Sequence, residues 1–71
     1  MLTESQIAVL EQIARRRMRD GRSASFETRA IFFRLMEGAM YGDPTLTREQ
    51  FMKEAREVLE KVINRERSEH T

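Results

Sequence analysis

Along residues 48–66 apolar side chains recur every three or four positions, the period of one face of a helix. At about 100° per residue, Phe51, Met52, Ala55, Val58, Leu59, Val62 and Ile63 span a stripe of roughly 140°, with charges around the remainder. A stripe of that width suits a helix that packs into a bundle. Residues 4–20 follow the same rule with Ile7, Leu10, Ile13, Ala14 and Met18, but Arg17 projects from inside the stripe. An arginine there reads as an aliphatic stem that snorkels to a surface carboxylate, in preference to a guanidinium that grips a ligand. Residues 25–41 break the rule. Phe26, Ile31, Phe32, Phe33, Leu35, Met36, Ala39 and Met40 sweep an arc of roughly 220°, interrupted only by Arg29.

The ends of these segments carry helix punctuation. The hexamers LTESQI at 2–7 and LTREQF at 46–51 each place a threonine at an N-cap and a glutamine three residues on, the two halves of a capping box. Leu2 with Ile7, and Leu46 with Phe51, hold the positions of a hydrophobic staple. Gly21 suits a left-handed C-terminal cap for the first helix, and Ser23 or Ser25 would cap the second. Gly42 stops that second helix, and Pro44 cannot continue it. The pattern predicts an all-α three-helix bundle in one domain over residues 1–66, with helices over 4–20, 25–41 and 48–66 and a frayed tail at 67–71. Glu49 with Lys53, and Glu57 with Lys61, stand four apart as favourable pairs on the outside of the third helix.

Length changes the reading of the second helix. Seventy-one residues lie near the lower limit of a self-sufficient core, where disulfides, a metal or a partner subunit usually help. With no cysteine, disulfides and thiolate metal sites are excluded, and His70, the sole histidine, cannot organise a metal site alone. The second helix could be a central helix wrapped within a monomer. An apolar arc wider than two neighbours can cover instead favours an interface, either a homodimer or another protein, formed by some of Phe26, Phe33, Met36 and Met40. The pattern alone does not choose between that side and the Ile31/Leu35 side.

Charge adds one further feature. Thirteen basic against twelve acidic residues create no strong global field, but residues 15–34 hold seven arginines against Asp20 and Glu27, a local balance of seven minus two, or +5. Arg15, Arg19 and Arg22 share a helical face beside Arg16, and such a cluster can bind phosphates or carboxylates. The same cations also complement the dipole at a helix C-terminus with no ligand at all. A DNA-reading helix would present polar side chains to base edges, whereas the second helix offers phenylalanines and methionines.

No nucleophile–base pair, phosphate-cradling glycine loop or calcium loop is written in the chain, and Glu54, Glu57 and Glu60 are placed on the outer face of the third helix. No apolar run is long enough for a membrane span, and the first residues do not read as a signal peptide. The expectation is a cytoplasmic, non-enzymatic interaction module without cofactor or metal, acting through the apolar second helix and the basic face of the first. The alternative is a small nucleic-acid-associated protein that contacts phosphates through the arginines of the first helix.

Overall fold

The computed structural model describes residues 1–20 and 25–69. They form three helices: α1 (Glu4–Asp20), α2 (Phe26–Gly42) and α3 (Arg48–Glu69). Gly21, Arg22, Ser23, His70 and Thr71, on which the left-handed cap, one arginine of the basic face, one candidate cap and part of the tail depend, lie outside the described residues.

Each helix starts at the threonine or serine expected to cap it, but only the first hexamer closes its capping box. The Thr3 N–H donates to Gln6 Oε1 at 2.9 Å, and the Gln6 N–H donates to Thr3 Oγ1 at 3.2 Å, which closes the capping box at α1. At α3 the Gln50 N–H donates to Thr47 Oγ1 at 3.1 Å, and the staple residues Leu46 and Phe51 are both buried. Ser25 is the cap of α2: its Oγ accepts from the Thr28 N–H at 3.2 Å. The same oxygen lies 2.9 Å from the Thr28 hydroxyl, so the one buried polar side chain among the described residues is satisfied.

Between α2 and α3, Asp43 ends one helix and sets up the next. Its N–H donates to the Ala39 carbonyl at 3.1 Å, and its own carbonyl accepts from the Leu46 N–H at 3.0 Å across the turn that holds Pro44. Its Oδ1 accepts from the Thr45 N–H at 3.0 Å and from the Thr45 hydroxyl at 2.6 Å. Helix α3 continues to Glu69, three residues beyond the end predicted at 66, because Arg67 and Glu69 are good helix formers and no breaker intervenes.

Arg15 on α1 reaches Glu66 on α3, while the amino terminus approaches Asp43 just ahead of α3. Helices α1 and α3 therefore run parallel, with α2 antiparallel between their ends. The core is mostly theirs: Leu10, Ile13 and Ala14 meet Phe51, Ala55, Leu59 and Val62. Helix α2 contributes only Thr28 and Ala39 to the fully buried set. Its Ile31, Phe32, Leu35, Met36 and Met40 are partly buried against the core, and Phe26 and Phe33 stand outside it. The helix with the widest apolar arc is the one least covered.

Candidate interaction surface

Helix α2 turns Thr28, Leu35 and Ala39 inward, so Ile31 and Leu35 belong to the core side and the opposite edge is the free one. On that edge Phe26 is 86% exposed and Phe33 49% exposed. Met36 and Met40 lie between edge and core, each half-buried. Of the four residues assigned to an interface, two are thus open to solvent and two serve the fold as well. The small Ala30 and the exposed charges of Arg29 and Glu37 complete the edge.

Beside this edge, α2 and α3 splay over α1 and leave an open groove of about 690 Å³. Ile13 and Thr28 line it from below, Phe32 and Phe33 from α2, and Met52, Ala55, Leu59 and Ile63 from α3. The ring of Phe32 stands edge-on to Phe33 at 6.2 Å, which joins the groove wall to the exposed edge. The surface is therefore a single apolar feature that turns from a helix edge into a groove.

Arg17, Arg29 and Arg56, one from each helix, also line the groove, with Glu60 as the carboxylate among its described residues. This explains the odd position of Arg17. It lies on the buried azimuth of α1, yet it is exposed because α2 and α3 have parted at that level. Among the described residues it reaches no surface carboxylate, so the expected snorkelling pair does not form. The convergence of three arginines was not legible in the sequence, where they stand at 17, 29 and 56.

The basic face of α1 is less free than its composition suggests. The Arg15 guanidinium lies 3.5 Å from Glu66, and Arg19 lies 3.4 Å from Asp20. Arg16 is half-buried on the flank of the helix, and Arg22 is outside the described residues. Exposed pairs of this kind are weak and exchangeable, but they lower the local positive field. The pairs expected on α3, Glu49 with Lys53 and Glu57 with Lys61, do not close; the ion pairs among the described residues are those of Met1, Arg15 and Arg19.

One carboxylate departs from its expected place. Glu54 is half-buried and not on the outer face of α3, and its Oε2 is shut from solvent with no hydrogen-bond partner. Burying such an atom unpaired is unfavourable. Glu57 and Glu60 are exposed as expected. Among the described residues no three acidic or histidine side chains converge as a metal site would require, and no helix is long and apolar enough to cross a membrane. No protein-family model matches the chain, and no curated protein or solved structure matches it significantly.

Proposed function

We propose that this chain is a non-enzymatic helical interaction module that works as a homodimer and docks through the free edge of α2 and the arginine-lined groove beside it. One observation carries the reading: Phe26 and Phe33 are held outside the core on the least covered helix, continuous with an apolar groove lined by Arg17, Arg29 and Arg56. A contiguous exposed apolar feature of this kind marks an interaction site. The arginines select the chemistry of what docks there, an apolar side chain flanked by carboxylates. Met52 in the groove, with Met36 and Met40 on α2, can adjust to the shape of the occupant.

The test is retention of a protein from extracts of the native host by the wild-type chain and by a Phe26→Ser/Phe33→Ser variant. The variant should keep its helicity, since neither side chain belongs to the core, and should lose the retained protein. Equal retention by both overturns the docking surface. The phosphate-binding alternative is read in the same material: retention on mixed-sequence DNA or RNA that falls steeply with salt and is lost on Arg15→Gln/Arg19→Gln would favour it instead. Arg15 and Arg19 already have carboxylate neighbours, so salt-insensitive behaviour with no such retention is expected.

A further inference from the structure

We infer that the occupant of the α2 edge is α2 of a second copy of this chain, laid antiparallel about a twofold axis at Phe33; the inference rests on the docking surface proposed above. The edge is self-complementary about that residue. Arg29 and Glu37 each stand four residues from Phe33, Ala30 and Met36 each three, and Phe26 and Met40 each seven. At helical spacing all of these fall on the side of the helix that Phe33 presents. In an antiparallel pair centred on Phe33, Arg29 of one copy comes level with Glu37 of the other, and the twofold repeats the match. Phe26 comes level with Met40, and the small Ala30 with the larger Met36. Every apolar residue on the edge meets an apolar one, and the two charges meet opposites.

The monomer leaves these groups free for that role. Arg29 and Glu37 are exposed, and among the described residues neither makes an ion pair within the chain. Phe33, at the axis, is half exposed, so one of its faces is already held by the fold. The 17 residues of α2 give a contact about 25 Å long. With Met52 and Arg56 of the groove wall alongside, such a contact belongs at the low end of stable interfaces, roughly 1,200 Å² in total.

Sedimentation across micromolar concentrations, with circular dichroism to verify folding, tests the inference. The wild-type chain should pass from its 8.4 kDa monomer to a dimer as concentration rises. Arg29→Glu or Glu37→Arg alone should weaken association by about tenfold or more, because each places like charges level with one another twice. The double variant Arg29→Glu/Glu37→Arg restores the opposite-charge match and should recover most of the loss, an outcome that misfolding cannot imitate. A dimer indifferent to the single reversals, or not rescued by the double one, overturns the register. A wild-type chain that stays monomeric throughout overturns self-docking altogether. If the Phe26→Ser/Phe33→Ser pair then still abolishes retention of a host protein, the docking surface stands with a different occupant; if it does not, both readings fall.

Discussion

The ring of Phe32 meets the ring of Phe51 edge to face, with centroids 5.6 Å apart and planes inclined at 64°. The contact ties the least covered helix to the largest fully buried side chain of the core, since Phe51 has no exposed surface and Phe32 is half-buried. Removing Phe51 should therefore be decisive. Phe51→Ala is expected to destabilise by about 3–5 kcal/mol through lost burial and the cavity left behind. A chain of this length has a total stability on the order of 4–10 kcal/mol, so the variant should be largely unfolded or melt far earlier than the parent. Phe32→Ala should lose less, because part of that ring is already in water. Thermal melts followed by circular dichroism compare the two.

The two capping hexamers look alike in sequence but differ in their bonding. Thr3→Ala and Thr47→Ala should each destabilise by about 0.5–2 kcal/mol, since each leaves a first-turn N–H without its side-chain acceptor. The glutamines separate the two sites. Gln6 returns a hydrogen bond to the Thr3 N–H, whereas no reciprocal bond joins Gln50 to Thr47. Gln6→Ala should lower the denaturant midpoint and Gln50→Ala should leave it nearly unchanged.

Gly38 lies inside α2, where it carries the conformational freedom of glycine without using it. A Cβ built there meets nothing within 4 Å. Gly38→Ala is expected to stabilise the chain by about 0.5–1 kcal/mol, because it reduces the entropy of the unfolded chain at a position whose native backbone alanine prefers. The residue lies well away from the Phe33 edge, so the gain should appear at a concentration where the chain is monomeric as well as where it associates. A lowered midpoint would mean that this face of α2 is not open.

Asp43 makes the turn before α3 sensitive to acid. The hydrogen bonds it accepts from the Thr45 hydroxyl and N–H hold its carboxyl below its ordinary value of 3.8, with the nearby amino terminus acting in the same direction. On acidification the unfolded chain takes up this proton first. The contribution to stability is thus fully present above the ordinary carboxylate value and is lost as pH falls through the depressed one. The stability difference between wild type and Asp43→Asn should be constant above about pH 5 and shrink below it. A carboxyl titration followed by NMR should place the Asp43 midpoint below 3.8.

The helices were legible because their causes are local. An N-cap threonine or serine is bonded three residues away, a staple joins residues five apart, and an amphipathic stripe needs only the helical period. The buried residues of α1 and α3 followed from the same period, although Met18 and Met52 on the same stripes are exposed, and so did the excess of apolar surface on α2. What tertiary structure decided depends on distances that the chain order does not contain. Only the packing of α2 against the α1–α3 pair turns Ile31 and Leu35 inward and leaves Phe26 and Phe33 out. Only the splay of α2 and α3 brings Arg17, Arg29 and Arg56 to one groove and gives Arg17 an exit from a buried azimuth. Likewise, Glu66 neutralises Arg15 across a gap of fifty-one positions, and one oxygen of Glu54 is buried although its period marks it as outward. Periodicity assigns each residue a direction about its own helix axis. Which directions are covered, and by which charge, is set by how three axes cross.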